Sequence, residues 1–166
     1  MLATRAADKP DIPRGPDWRY EVKWDGVRAL ADTTSGTLRL RARSGSDVTV
    51  AYPELAGLAA WPGAVVDGEI VVLAGSVPSF EALAERMHVR DAARARRLAA
   101  RSPVTFVAFD VLVLDGTDVT RRPLDERRAL LEALPLPDRV QLSPVYPDLD
   151  PLWDVTREHG LEGVVA

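Results

Sequence analysis

Lysine is scarce in this chain: of 21 basic residues only Lys9 and Lys23 are lysines, and arginine fills every other cationic position. Lys23 stands inside EVKWDGVR, residues 21–28. Side chains alternate along a strand, so Glu21 and Lys23 share one face while Val22 turns toward a core. Asp25-Gly26 then supplies a turn that lets Arg28 come back toward Lys23. An amine beside a carboxylate and a guanidinium suits covalent phosphoryl chemistry. A neighbouring cation favours the neutral, nucleophilic amine, and arginine grips phosphate with two parallel hydrogen bonds. A surface hairpin closed by a salt bridge has the same spacing, so the octamer alone leaves both readings open.

Other chemistries are poorly served. The absence of cysteine removes disulfides, cysteine-ligated zinc, iron–sulfur clusters and thiol catalysis, so any metal must be held mainly by oxygen. Neither a Walker loop nor a Gly-x-Gly-x-x-Gly turn is present. His88 and His159 are the only histidines and belong to no Ser-His-Asp constellation, so both are expected at the surface.

The length of 166 residues fits one domain, and 46% hydrophobic with 28% charged residues predicts a globular chain with a core. The N-terminal stretch MLATRAADKPDIPRG is charged and broken by prolines, and no window of about 18 residues is free of charge, so neither a signal peptide nor a membrane span is expected. A net charge of −4 argues against a polycation that coats nucleic acid, though not against a local basic groove.

The elements that must position these residues follow from turn signals and apolar runs. Residues 18–23, 27–31 and 37–42 read as strands of an opening β-meander, with turns at Asp25-Gly26 and Ser35-Gly36. Residues 52–60 form a short helix closed by Trp61-Pro62-Gly63, and AVVDGEIVVL is a central strand. Ser79 caps a helix through Phe80, Leu83 and Met87, and a second helical stretch follows Asp91. VTFVAFDVLVLDG is a core strand or a bent pair, interrupted by Asp110. Pro123 occupies the first turn of a helix that presents Leu124, Leu130, Leu131 and Leu134 on one face and ends before Pro135. Asp150-Pro151 opens a last helix, Gly160 ends it in the left-handed conformation, and LEGVVA begins another strand. Strands and helices do not alternate strictly, which predicts α+β with antiparallel sheet.

Six arginines and one acid lie between Arg86 and Arg101. If that region is one helix, Arg86, Arg90, Arg94, Arg97 and Arg101 share a face that could follow a DNA backbone. A solvated arginine face is the equal alternative.

The octamer resembles the nucleotidyltransferase motif in which lysine becomes covalently linked to AMP or GMP. The resemblance continues in order through Arg43-Ser44-Gly45, Asp67-Gly68-Glu69-Ile70, Phe109-Asp110 with Leu114-Asp115-Gly116, and Glu162-Gly163-Val164-Val165. With PSFEALAERM and RRPLDERRALLEAL, the set is similar to the ligase domain of bacterial non-homologous end-joining, ATP-dependent DNA ligases. The resemblance implies a nucleotidyltransferase (ATP-grasp-like) adenylation domain, α+β with antiparallel sheets and flanking helices, over residues 1–166. It implies that Lys23 attacks the α-phosphorus of ATP, carries AMP and passes it to the 5′-phosphate of nicked or broken double-stranded DNA. Glu21 would meet the adenine edge, Phe109 stack on the base, Glu69 hold the ribose hydroxyls and Arg28 the ribose or 5′-phosphate. Asp25 would position Lys23 or the DNA end, Arg43, Arg94 and Arg97 would meet DNA phosphate, and Glu162 would help bind Mg2+ or Mn2+. End-joining repair proteins are the implied partners and the bacterial cytoplasm, at the nucleoid, the implied location.

One departure bears on activity. The resemblance leads one to expect a lysine directly after EGVVA, a further strand with paired lysines, and an OB-fold domain, none of which lies within residues 1–166. The expectation is an excised, cleaved or truncated piece, incomplete at the C-terminus, whose parent is the ligase and which alone binds ATP weakly at most and seals nothing. The alternatives are a non-catalytic nucleic-acid-binding or assembly module, and an RNA ligase or capping-type nucleotidyltransferase.

Overall fold

A computed structural model describes residues 9–75 and 77–166. In chain order these form β1 (Tyr20–Val22), β2 (Val27–Asp32), β3 (Arg39–Ala42), β4 (Val65–Val71), β5 (Leu73–Ala74), β6 (Val77–Pro78), α1 (Phe80–Ala84), α2 (Ala92–Arg101), β7 (Thr105–Leu114), β8 (Thr117–Asp118), α3 (Leu124–Glu132), β9 (Val140–Leu142), β10 (Val145–Tyr146), α4 (Leu149–Glu158) and β11 (Val164–Val165). The chain divides into two compact units, Gly26–Leu142 and a smaller one that joins the residues up to Asp25 with Ser143–Ala166.

The larger unit is built on a sheet of order β3-β2-β4-β7-β8, with β9 added to β7 in parallel. The expectation of antiparallel sheet holds for every other pairing, and the single parallel one arises because α3 carries the chain back between β7 and β9. β4 and β7 are buried on both faces, which is why they read as nearly continuous apolar runs. Leu40, Leu55, Leu58, Trp61, Val66, Ile70, Phe106 and Leu131 form the centre of the core. The stretch after Tyr52 is a 3-10 helix, Pro53–Ala60, with Leu55 and Leu58 inward.

Two glycines of this unit are fixed by close approach. A Cβ on Gly26 would stand 2.3 Å from the Ile70 carbonyl oxygen, and one on Gly68 would stand 2.5 Å from the Phe106 ring. Any side chain there would push β2 or β7 away from β4.

The smaller unit is a three-stranded antiparallel sheet, β10-β1-β11, covered by α4. Ile12, Tyr20, Val22, Leu149 and Leu152 make its core, with Trp24, Trp153, Leu161 and Val164 packed around it. Gly160 has the left-handed φ expected at the end of α4, +62°, while α4 itself opens at Leu149, before Asp150-Pro151.

Several expectations are corrected. The strand expected over 18–23 is only Tyr20–Val22, and it does not open a meander with β2 and β3, because it pairs with β10 and β11 instead. The strand expected over 37–42 begins at Arg39, after the Ser35-Gly36 turn. Ser79 caps α1 through the Ala82 N–H, 3.3 Å, but α1 stops at Ala84 and excludes Met87. Asp91 accepts from the Arg94 N–H at 2.7 Å and starts α2 afresh, so the arginine stripe from Arg86 to Arg101 is not one helical face. Pro123, with ψ of 151°, precedes α3 as its cap residue rather than occupying its first turn. VTFVAFDVLVL is one strand with two register irregularities.

Candidate active site

In the smaller unit, β1 does what the alternation demands. Tyr20 and Val22 are buried and Glu21 takes the opposite face. Lys23 follows the last β1 residue, its N–H donating to the Gly163 carbonyl at 2.8 Å, which extends the β1–β11 pairing by one bond. The Lys23 amine forms an ion pair with the Glu162 carboxylate. Both side chains remain open, 48% and 40% exposed. An amine held this way is oriented and accessible, and must give up its carboxylate partner and a proton before it can act as a nucleophile. Trp24 is anchored by its Nε1–H to the buried Ser143 hydroxyl, 3.0 Å. That bond fixes the turn of chain between Lys23 and Asp25. Asp25 is half-buried and is the last residue of this unit before Gly26.

In the larger unit, Arg28 on β2 faces Glu69 on β4 in register. Its guanidinium grips Asp67 with two hydrogen bonds, Nε to Oδ1 at 3.0 Å and Nη2 to Oδ2 at 2.7 Å. The Asp67 hydrogen bonds hold the Arg28 guanidinium above its ordinary value, against the opposing effect of burial. The same guanidinium lies 5.5 Å from the centroid of the Phe109 ring, within cation–π range. Arg28, Asp67, Glu69 and Phe109 are thus brought together on β2, β4 and β7. In the other unit Lys23 and Glu162 are brought together, while Glu21 lies on the same sheet opposite Val145 and Val165.

The DNA-contact candidates separate. Arg43 is exposed in the tight turn after β3, where Gly45 adopts φ of +83°. Arg94 and Arg97 are exposed on α2 and, with Leu98 and Arg101, line a shallow surface cavity. Arg101 also pairs with Glu85. Arg86 belongs to the interior: it is fully buried, its two terminal nitrogens donate to both Glu54 oxygens at 2.7 and 2.9 Å and to the Ser102 and Ala51 carbonyls, and it lies 5.5 Å from the Tyr52 ring. His88 is exposed, as expected.

Sequence reasoning does not single out Asp67, the partner of Arg28, as a site residue, nor the Asp110–Arg127 pair beside Phe109; Asp67, Asp110 and Arg127 are visible in the sequence only as parts of longer motifs. The usable signal was the charge in an apolar strand: a carboxylate inside VVDGEIV or TFVAFDVLVL must find a cationic partner.

Comparison with known proteins places the chain. A family model described as the ATP dependent DNA ligase domain matches residues 1–166. The multifunctional non-homologous end joining DNA repair protein LigD of Mycobacterium tuberculosis H37Rv is 40% identical over 158 residues, covering 92% of this chain and 19% of that protein. DNA ligase C2 of Mycolicibacterium smegmatis is 39% identical over 160 residues, 91% of this chain and 45% of its own length. Among solved structures, mycobacterial DNA ligase D complexed with ATP and MES superposes with a TM-score of 0.69 at 38% identity, over 89% of this chain and 46% of that one. The chain therefore spans less than half the length of each of these relatives.

Proposed function

The chain belongs to the ATP-dependent DNA ligase domain family, and on that premise we propose that it carries the lysine-adenylating part of a ligase that joins broken or nicked double-stranded DNA in bacterial end joining. The observation that carries this reading is the accessible Lys23 amine beside Glu162, in a chain whose cations are arginines apart from Lys23 and Lys9. Arginine stays protonated and cannot serve as the nucleophile.

In the proposed first step the Lys23 amine, freed of its proton, attacks the α-phosphorus of ATP. A nitrogen–phosphorus bond forms, the bond from the α-phosphorus to the oxygen bridging toward the β-phosphate breaks, and pyrophosphate leaves with the electron pair. AMP then passes from Lys23 to a DNA 5′-phosphate, and a 3′-hydroxyl displaces it to seal the strand. Glu21 reads the adenine edge, Phe109 stacks on the base, and Glu69 holds the ribose hydroxyls. Arg28, oriented by Asp67, meets the ribose or the 5′-phosphate. Asp25 positions Lys23 or the DNA end. Arg43, Arg94 and Arg97 take DNA phosphates.

A divalent cation, Mg2+ or Mn2+, would neutralise charge on the phosphates. Among the described residues no group of three or more histidine, aspartate or glutamate side chains stands ready to hold a metal. Glu162 would offer one carboxylate to such an ion, the triphosphate and water would supply the other oxygens, and this mode of binding is usual for Mg2+. Among the described residues no helix is long and apolar enough to cross a membrane, and the proposed setting is the bacterial nucleoid.

The test is intact-protein mass spectrometry after incubation with ATP and Mg2+. One added AMP, absent in Lys23→Ala, is the expected result. An adduct that survives Lys23→Ala would move the nucleophile elsewhere.

A further inference from the structure

Arg127 takes no part in the reaction set out above, yet it is among the most firmly held side chains of the larger unit. From α3 it reaches β7 and grips both oxygens of Asp110, Nε to Oδ1 at 2.8 Å and Nη2 to Oδ2 at 2.8 Å. Its remaining terminal nitrogen, Nη1, donates to the Arg122 carbonyl at 2.6 Å. The two side chains are only 13% and 19% exposed. The hydrogen bonds to Asp110 hold the Arg127 guanidinium above its ordinary value.

The register of β4 against β7 shows what this grip controls. Asp67 faces Asp110 and Gly68 faces Ala108, so β7 advances two residues where β4 advances one. Phe109 is the extra residue of a β-bulge, a device that re-aims a side chain out of the regular alternation. Asp110 Oδ1 also accepts from the Val111 N–H at 2.9 Å. One carboxylate thus ties the backbone next to the bulge to helix α3. Across the strand pair, Asp67 holds Arg28, whose guanidinium lies against the Phe109 ring. Two carboxylates directly opposite one another on an antiparallel pair repel. Here each has its own arginine, and Phe109 sits at the bulge beside them.

We propose that Arg127, acting through Asp110, is a positioning residue that fixes the Phe109 ring for stacking on the base of ATP. The proposal rests on the reading of Phe109 as the base-stacking residue. In this scheme Arg127 does not touch the nucleotide. Its removal unclamps the carboxylate, lets the bulge relax and spreads the ring over several orientations, so the base is left without its platform while the phosphates keep their partners.

The experiment is calorimetric titration of the full chain with α,β-methylene ATP, which binds but cannot transfer AMP, and with inorganic tripolyphosphate, which has no base. The variants are Phe109→Ala, Arg127→Met, their combination, and Asp110→Asn, which keeps the shape of the carboxylate and removes its charge. Phe109→Ala and Arg127→Met should each weaken the ATP analogue about tenfold, the scale of one aromatic stacking interaction. The double variant should be no weaker than Phe109→Ala, Asp110→Asn should follow Arg127→Met, and tripolyphosphate affinity should be unmoved in all of them. If Arg127→Met weakens the analogue by the same factor in the Phe109→Ala background, or weakens tripolyphosphate equally, the proposal is overturned and the pair is only a structural brace. If Phe109→Ala leaves the analogue's affinity intact, the stacking role fails first and the proposal with it.

Discussion

The two units of this molecule handle positive charge in opposite ways. Both lysines lie in the smaller unit, and both pair with open carboxylates: Lys23 with Glu162, and Lys9 with Asp150 at 2.9 Å, where Arg14 also binds. Every lysine or arginine position of the larger unit is an arginine, and three of these are committed to shielded carboxylates in fixed, two-pronged pairs: Arg86 with Glu54, Arg28 with Asp67, Arg127 with Asp110. An exposed pair costs little to open, because solvent replaces the partner. A buried pair does not open without leaving a charge stranded. On the proposed reading, the chemistry that requires a partner to be exchanged falls on the open Lys23–Glu162 pair, and the surfaces that must hold shape fall on the shielded arginine pairs of the larger unit.

The sharpest way to break this comparison is Lys23→Arg. Charge and much of the reach are kept, yet AMP transfer to the protein should be abolished, since a guanidinium does not become a nucleophile. Intact mass after incubation with ATP and Mg2+ reads the outcome, and an adduct on the arginine variant would show that the lysine is dispensable. The unfolding midpoint should stay close to that of the unsubstituted chain, because the Lys23 pair is open to solvent.

Arg86→Leu should do the reverse. It removes one partner of a buried pair and strands Glu54, so urea unfolding should report a destabilisation of about 3–5 kcal/mol. Glu54 also accepts from the Val104 N–H at 3.0 Å, which ties the stranded carboxylate to the start of β7 and holds it away from water. A change below about 1 kcal/mol would mean that the pair contributes no more than a surface one.

Arg94→Gln with Arg97→Gln tests whether the larger unit's exposed arginines differ from its buried ones. Stability should be unchanged, while the slope of log affinity for nicked duplex against log salt should fall by about two, roughly one for each DNA phosphate no longer neutralised. An unchanged slope would make α2 a solvated face.

The smallest effect is expected at Asp150. Hydrogen bonds from Arg14 and then Lys9 hold its carboxyl well below the ordinary carboxylate range. A depressed folded value contributes stability that is fully present above the unfolded value, about 3.9, and disappears as pH falls toward the folded one. Asp150→Asn should therefore melt slightly below the unsubstituted chain at pH 7, and the gap should close as thermal melts are taken below about pH 4. A gap that stays constant with pH would mean the carboxylate contributes through something other than its charge.

The same contrast explains what was legible in the sequence. The central strands could be read because β4 and β7 are buried on both faces and show it in composition, and the caps at Ser79 and Asp91 could be read because capping is a local chemistry. The octamer around Lys23 and the acidic residue of EGVVA were legible as ordered motifs, and they meet across β1 and β11. What could not be read was partnership between distant segments. Nothing near Tyr20 says that it pairs with Tyr146, and an arginine in LAERMH looks like its exposed neighbours until Glu54 is known to lie beside it. Arg127 was hidden for the same reason. Its helix reads as an amphipathic surface element, and only the three-dimensional approach of α3 to β7 turns one of its arginines into the clamp on Asp110.

The strand that leads into Lys23 illustrates a consequence for the order of assembly. β1 takes its partners from far downstream, Tyr20 from Tyr146 and Glu21 from Val145 and Val165, whereas Gly26–Leu142 is one continuous stretch of chain. Pairings so remote must close a long loop before they return any stabilisation, and they form late. During synthesis the arginine-clamped sheet can settle while β1 is still waiting. A chain halted before Ser143 would hold that sheet and the lysine together in one polypeptide, but without the strands that build the lysine's surroundings.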